Sequence, residues 1–213
     1  MNVWFTARGA GLSALLLLSL STCLGALVSR SGAAVRGANP TRRYLVQYLH
    51  RACAGLGLAV LALHVGTILA DSFANVGWRG ALIPFTSGYR PTAVALGTLA
   101  AYTFLGVAVL GMARGRMAAS PRGARIWRGL HGLAYVGWAS AMLHGLNAGT
   151  DTSVGWVRLI YVTCFVAVVG SIAARLVRYR RPAPTDRFAD RAPVHTAPVH
   201  TAPDQALPQG ASR

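Results

Sequence analysis

Residues 44–70, YLVQYLHRACAGLGLAVLALHVGTILA, form an apolar segment that carries two histidines, His50 and His64. A helix needs about 20 predominantly apolar residues to cross the hydrocarbon core of a bilayer. This segment is longer than that. It therefore predicts a transmembrane helix with two ionisable side chains at membrane depth.

Four more segments reach a spanning length, and Pro, Gly or Asn residues separate them. The five predicted spans are 10–29, 44–70, 92–113, 124–147 and 154–176. Of the 213 residues, 54% are hydrophobic and only 12% are charged, which is too apolar for an ordinary soluble domain. We therefore predict an all-α fold, a polytopic membrane bundle of five transmembrane helices.

The 21 basic residues are all arginine, and with 5 acidic residues they give a net charge of +16. They lie in short clusters between apolar segments, which argues against a nucleic-acid partner. Short cytoplasmic loops retain positive charge, and three clusters mark the inner side: Arg30, Arg36, Arg42 and Arg43; Arg114, Arg116, Arg122, Arg125 and Arg128; Arg175, Arg178, Arg180 and Arg181. We therefore expect a multi-pass plasma-membrane protein in contact with lipid, with its N-terminus outside and its C-terminus inside.

The sequence divides into three parts. Residues 1–43 hold the first span and a basic loop, residues 44–181 hold a core of four helices, and residues 182–213 form a Pro/Ala/Arg tail that repeats the unit PVHTA. The composition of this cytoplasmic tail predicts disorder. A signal peptide is an alternative for the first segment, but its removal would place the arginines that follow on the outer side.

Four of the six histidines lie inside two predicted spans: His50 and His64 in the second, His131 and His144 in the fourth. Ionisable side chains at membrane depth indicate function. The two histidines of each span stand about 20 Å apart along the helix, and the two spans run in the same direction because one helix separates them. We expect His50 to face His131 and His64 to face His144, as axial ligands of two haem b groups. Iron with two axial histidines has no open position, which suits electron transfer.

The two spans differ in histidine spacing. At about 100° per residue, the step from His50 to His64 returns to nearly the same helix face, whereas the step from His131 to His144, one position shorter, leaves the second imidazole about 140° away. An ideal helix would not aim both ligands at one slot. We therefore expect an irregularity in the fourth span, a wide turn in Gly137–Ser140.

Other residues near the histidines have predicted roles. Three arginines, Arg51, Arg125 and Arg128, are expected to pair with haem propionates at the inner site. Small residues beside the ligands are expected to leave room for a flat macrocycle: Ala54, Gly55, Gly57, Ala59, Gly66, Gly129, Gly132, Gly137 and Gly145. No residue has the setting of a catalytic acid, base or nucleophile.

Two other interpretations stay open. A haem-free membrane transporter or assembly protein would use the histidines for protons or a metal, but proton relays combine His with Asp or Glu at mid-depth. Asp71 and Asp151, the acids of the membrane region, fall in predicted outer loops. A haem-bearing, quinone-linked subunit of a redox complex fits the same residues as a free-standing cytochrome.

Short motifs carry a resemblance to a known family. Besides the H-x13-H and H-x12-H spacings, they are DSF at 71–73, PFTSGYRP at 84–91, WRGLH at 127–131, LAY at 133–135, HGL at 144–146 and GTD at 149–151. Over residues 44–178 the sequence resembles the ferric reductase-like transmembrane domain of ferric reductases and NADPH oxidases, in its short actinobacterial form. The resemblance implies that the four membrane histidines are the axial ligands of two haem b groups.

The longer enzymes of that family carry a flavin and nicotinamide module after the last helix. Residues 182–213 contain no glycine fingerprint for such a module, and whether the chain is itself an enzyme stays open. The resemblance implies an oxidoreductase component that takes electrons from a cytosolic flavoprotein reductase or from quinol. The acceptor would be ferric iron or an extracytoplasmic redox protein at the outer face. The outer loop 71–91 is expected to cover the outer haem, with Tyr89 and Arg90 near a propionate or the acceptor.

Overall fold

The computed structural model describes residues 2–28 and 40–180, and all regular structure in these ranges is helical. The all-α fold class is thereby confirmed. The helices are α1 (Asn2–Val28), α2 (Pro40–Ala70), α3 (Gly77–Leu82), α4 (Pro91–Met112), α5 (Arg114–Met117), α6 (Pro121–His131), α7 (Ala134–Ala148) and α8 (Gly155–Arg180), with a short 3-10 turn at Ser72–Ala74. The predicted disorder of residues 182–213 lies outside the described residues, as do Arg30 and Arg36.

Four helices are long and apolar enough to cross a membrane: Val3–Leu27 within α1, Pro40–Ala70, Pro91–Met112, and Gly155–Val177 within α8. They coincide with the first, second, third and fifth predicted spans, and they support a multi-pass membrane protein. The predicted fourth span, 124–147, coincides instead with the two shorter helices α6 and α7. The fifth crossing and the orientation therefore stay predictions.

Proline sets the start of three helices. Pro40, Pro91 and Pro121 are the first residues of α2, α4 and α6, where the missing N–H has no intrahelical partner and the fixed φ suits a helix. At α6 the Ser120 hydroxyl also accepts a hydrogen bond of 3.1 Å from the Gly123 N–H. These residues define where the helices begin, which the hydropathy pattern alone does not do.

Helix α1 occupies the centre of the bundle. It packs along α2 and also contacts α7 and α8, while α4 packs along α7. The buried core comes from α1, α4, α7 and α8: Leu15, Leu18, Ala100, Phe104, Trp138, Met142, Val157, Tyr161, Cys164 and Val168. Helix α2 buries only Gly57, so it is held chiefly by α1.

A tight turn at Gly132–Leu133 separates α6 from α7. Its backbone hydrogen bonds close three-residue loops; for example, the Leu133 N–H donates to the Leu130 carbonyl at 3.0 Å. The sequence predicted a wide turn in Gly137–Ser140, but those residues belong to the regular helix α7. An irregularity is therefore present in this segment, and the prediction of its type and place was wrong.

The tight turn offsets part of the difference in histidine spacing. A 3-10 turn has about 3.0 residues per turn and a rise of about 2.0 Å per residue, against about 3.6 residues and 1.5 Å in an α-helix. Each residue in the turn therefore adds extra rotation and extra length. Both changes act in the direction needed for the shorter His131–His144 interval to match the longer His50–His64 interval.

Candidate functional site

The structure brings the four membrane histidines together in two facing pairs. The ring centres of His50 and His131 lie 6.3 Å apart, with the ring planes inclined by 68°. Those of His64 and His144 lie 6.4 Å apart, inclined by 72°. Each pair takes one ring from α2 and one from α6 or α7, so α2 runs parallel to these two helices.

Backbone carbonyls hold the Nδ1 atom of three of the four rings. The distances from Nδ1 to the carbonyl oxygen are 2.8 Å for His50 with Ser21, 2.7 Å for His64 with Ala7, and 2.8 Å for His144 with Ala93. A carbonyl oxygen only accepts, so in the neutral imidazole Nδ1 carries the hydrogen and Nε2 keeps its lone pair. Metal-binding histidines have this arrangement, because the bond at one nitrogen fixes the tautomer and orientation of the ring.

A glycine lies one helical turn after each of these carbonyls. Gly11, Gly25 and Gly97 follow Ala7, Ser21 and Ala93 in the i+4 position. A Cβ atom added at the glycine would approach the nearest atom of the facing ring to 3.1 Å at Gly11 with His64, 3.1 Å at Gly25 with His50, and 2.7 Å at Gly97 with His144. The rings therefore occupy space that a side chain would fill.

The fourth ring follows the same register on α4. Val107 and Gly111 repeat the pair Ala93 and Gly97 further along this helix, and a Cβ atom at Gly111 would lie 3.7 Å from the His131 ring. The Val107 carbonyl is close enough to interact with this ring. The buried Nδ1 atom of His131 nevertheless has no hydrogen-bond partner within the described ranges.

An indole ring orients His131 instead. The ring centres of Trp127 and His131 lie 4.8 Å apart, with the planes inclined by only 18°. The Trp127 indole N–H donates to the Leu110 carbonyl at 2.8 Å, which ties α6 to α4. The Arg114 guanidinium carbon lies 5.2 Å from the Trp127 ring centre, in the range of a cation–π contact.

A cavity of about 320 Å³ lies beside His64 and His144. This volume is within the range of about 300–1,000 Å³ that is usual for small-molecule sites. The cavity is lined mainly by apolar side chains, with Arg8, Tyr89 and Asp151 among the polar ones. The His64–His144 pair therefore faces a space that can admit a ligand.

The loop 71–91 is tied to the end of α7. The Tyr89 hydroxyl donates to the Ala148 carbonyl at 2.9 Å, and Arg90 donates to the Asn147 carbonyl. Carbonyls in the last turn of a helix lack intrahelical hydrogen-bond donors. Tyr89 and Arg90 provide donors for two of them. Tyr89 also lines the cavity, whereas Arg90 is exposed and does not line it.

The other residues singled out from the sequence take different places. Arg51, Arg125 and Arg128 are exposed, and a different arginine, Arg114, contacts the Trp127 ring that stacks on His131. Gly57 packs against Leu18 and Gly137 against Thr103, with a Cβ atom at these glycines 2.9 and 3.0 Å from the facing side chains. Gly57 and Gly137 therefore allow close helix packing.

Sequence reasoning missed the four glycines behind the rings because it considered only the helices that carry the histidines. The signal was present in the spacing. Gly11 and Gly25 are separated by the same interval as His50 and His64, and so are Gly97 and Gly111. Equal spacing on neighbouring antiparallel helices places the glycines level with the histidines.

Each pair offers two imidazole ligands to a metal ion. In the described part of the chain, no group of three or more His, Cys, Asp or Glu side chains is placed to hold a metal. Zinc sites take three or four protein ligands, and each pair supplies two imidazoles. The chain matches no protein-family model, no curated protein and no solved structure in the comparisons made.

Proposed function

We propose that this chain is a diheme membrane cytochrome of the b type, which transfers electrons between the two faces of the plasma membrane. It crosses the membrane five times, with α6 and α7 together forming the fourth crossing, its N-terminus outside and its C-terminus inside. His50 and His131 hold the inner haem, and His64 and His144 hold the outer haem. Bound haem supplies a one-electron Fe(III)/Fe(II) couple at each depth.

The distance between the paired rings carries this proposal. Two imidazoles that bind one metal from opposite sides with bonds of about 2 Å have ring centres about 6.3 Å apart. A direct hydrogen bond of about 2.9 Å between two imidazoles would bring the ring centres to about 5 Å. The observed 6.3 and 6.4 Å agree with the first arrangement at both depths.

The surrounding backbone supports the same assignment. The carbonyls of Ala7, Ser21 and Ala93 hold the proton of three of the four imidazoles, those of His64, His50 and His144, at Nδ1. This keeps the Nε2 lone pair available and raises its basicity. The cavity beside the outer pair provides space for a macrocycle. Two protein ligands per site leave no position for oxygen or substrate, which restricts the chemistry to electron transfer.

The proposed partners are assigned according to this orientation. A cytosolic flavoprotein reductase or quinol donates electrons at the inner face, where the arginine-rich segment α5–α6 lies. Ferric iron or an extracytoplasmic redox protein accepts them beside the outer pair. In the proposed orientation, the inner and outer ligands of α2 are separated by about 21 Å along the helix.

The test is a haem count on detergent-solubilised protein. We expect a reduced-minus-oxidised absorbance spectrum of b type and a pyridine extract that gives two haems per chain, falling to one in His64→Ala and in His131→Ala. The ferric protein should give strongly anisotropic low-spin electron paramagnetic resonance signals, because the paired imidazole planes are far from parallel.

The matched control is His195→Ala, which removes a histidine of the tail and should leave two haems. Protein that contains no haem after expression with ample haem supply would overturn the proposal. Two haems remaining in both membrane variants would equally exclude this ligand assignment.

A further inference from the structure

Arg8 lies at the depth of the outer histidine pair. It is the only arginine of α1, and it directly follows Ala7, whose carbonyl is 2.7 Å from Nδ1 of His64. Its side chain lines the same cavity as His64 and His144. A guanidinium group is therefore placed beside the space in which the outer cofactor would sit.

The side chain of Arg8 has two neighbours there. It forms an ion pair with Asp151, in the loop between α7 and α8, and the two side chains are 26% and 37% exposed. Its guanidinium carbon also lies 5.4 Å from the Trp4 ring centre. A partly exposed ion pair of this kind contributes about 0–1 kcal/mol to stability. Its contribution to folding stability therefore gives little reason for an arginine at this position.

The other arginines at this end of the bundle do not point into the cavity. Arg90 is bound to the Asn147 carbonyl, and Arg79 and Arg158 are exposed. Among the described residues that line the cavity, Arg8 is the only arginine. It is therefore the cation available to an anionic group inside the cavity.

We propose that Arg8 binds a propionate carboxylate of the outer haem and bridges it to Asp151. This inference rests on the proposed function of the His64–His144 pair. A guanidinium group has five N–H donors in a planar fork, so it can bind a propionate with one edge and keep Asp151 on another. Arg8 and Asp151 then act on the outer haem with opposite charge: the cation favours the reduced iron, and the carboxylate favours the oxidised iron.

The experiment compares two ligands that differ only in the carboxylates. Full-length protein with the inner site removed by His131→Ala is depleted of haem and titrated with haem b or with its dimethyl ester, in which both propionates are blocked. We expect Arg8→Gln to weaken the binding of haem b by about 10-fold or more, the usual effect of losing a hydrogen bond to a charged group. Binding of the dimethyl ester should be the same with and without this substitution.

The midpoint potential of the outer haem supplies a second readout. Arg8→Gln should lower it and Asp151→Asn should raise it, whereas Arg8→Lys, which keeps the charge, should shift it less than Arg8→Gln. The matched control is Arg158→Gln, an exposed arginine on α8, which should change neither affinity nor potential. If the Arg8→Gln protein does not accumulate, Asp151→Asn still tests the site, because it leaves Arg8 in place.

The outcomes separate this inference from the function on which it rests. Unchanged haem b affinity and potential in Arg8→Gln, or no rise in potential in Asp151→Asn, would overturn the role of Arg8 and leave the diheme assignment standing. Absence of haem binding by the parent protein with Arg8 intact would overturn both.

Discussion

The carbonyl and the glycine behind each ring form one functional unit. In an α-helix the carbonyl of residue i already accepts the N–H of residue i+4, and its second lone pair is free. At Ala7 and Ser21 that second lone pair accepts from an imidazole, and residue i+4 is a glycine in both cases. A side chain at i+4 would stand where the ring approaches the carbonyl, so the two positions depend on each other.

Alanine substitutions at these glycines should reduce haem binding in a graded order. A Cβ atom would come within 2.7 Å of a ring at Gly97, 3.1 Å at Gly11 and Gly25, and 3.7 Å at Gly111. We expect Gly97→Ala to weaken haem binding at the outer site about 10-fold or more, in line with the cost of overpacking. Gly11→Ala and Gly25→Ala should have smaller effects, and Gly111→Ala the smallest.

Gly106→Ala is the matched control for this series, because Gly106 is on α4 and a Cβ atom there would meet nothing within 4 Å. Haem affinity at each site is measured by titration of haem-depleted protein. If Gly97→Ala binds haem as well as Gly106→Ala, the glycine does not serve ring placement.

At the residue scale, the sequence predicted which histidines face each other but not what lies behind them. The pairing followed from helix direction, which depends on the number of spans between the histidines, and from depth, which depends on the position of each histidine along its span. The contacts of Arg8 and Trp127 depend on side-chain directions on neighbouring helices. Hydropathy and spacing carry no information on those directions.

Among the helices, α6 and α7 show how a spacing anomaly is resolved. Their histidines lie beside Gly97 and Gly111 on α4, whose interval is one position longer than that from His131 to His144. The tight turn at Gly132–Leu133 supplies part of the missing rotation and length. The helix break is therefore part of the ligand geometry.

Changing the histidine spacing tests this explanation. Insertion of one alanine between Gly132 and Leu133 gives this segment the same spacing as His50 and His64, which a regular helix can accommodate, and we expect both haems to remain. Deletion of Leu58 from the regular helix α2 turns His50 and His64 apart by about 100° relative to each other, so one haem should be lost. Haem content per chain is the measurement, and loss of a haem in the insertion variant would contradict the role of the turn.

Element boundaries were predictable where breakers stand between apolar segments. Pro40 and Pro91 begin two of the helices that coincide with predicted spans. The break between α6 and α7 was not located, because the apolar character of residues 124–147 runs through it without a proline. Only the short spacing of His131 and His144 indicated a helix irregularity. This spacing does not say where between the two histidines the irregularity lies.

As a whole, the molecule contains two antiparallel hairpins that face each other. One is α1 with α2, and the other is α4 with α6 and α7. Each histidine pair takes one ring from each hairpin. Because α2 packs mainly on α1, a metal bound between the rings would be the main direct link between α2 and α7.

Haem should therefore fix the distance between α2 and α7. Spin labels at the exposed positions Leu56 on α2 and Val136 on α7, in a background with the native cysteines replaced by alanine, report this distance by pulsed electron resonance. We expect a narrow distribution in haem-loaded protein and a broader one after haem removal.

A second label pair within one hairpin, Leu105 on α4 with Val136 on α7, provides the control. Its distribution should be the same with and without haem, because α4 and α7 pack directly. Equal behaviour of the two label pairs would show that the hairpins are already locked together without a cofactor.

The carbonyls and glycines behind the rings also relate the two hairpins to each other. Ala7, Gly11, Ser21 and Gly25 recur at identical intervals as Ala93, Gly97, Val107 and Gly111. Two copies of one hairpin, related by a two-fold axis along the helices, would assemble both sites without any further part. Identical halves would make the two ligands of each site equivalent. Within one chain the two halves can differ. Among the described residues, Trp127 and the overwound turn occur in the second half only, and they give His131 surroundings that differ from those of His50.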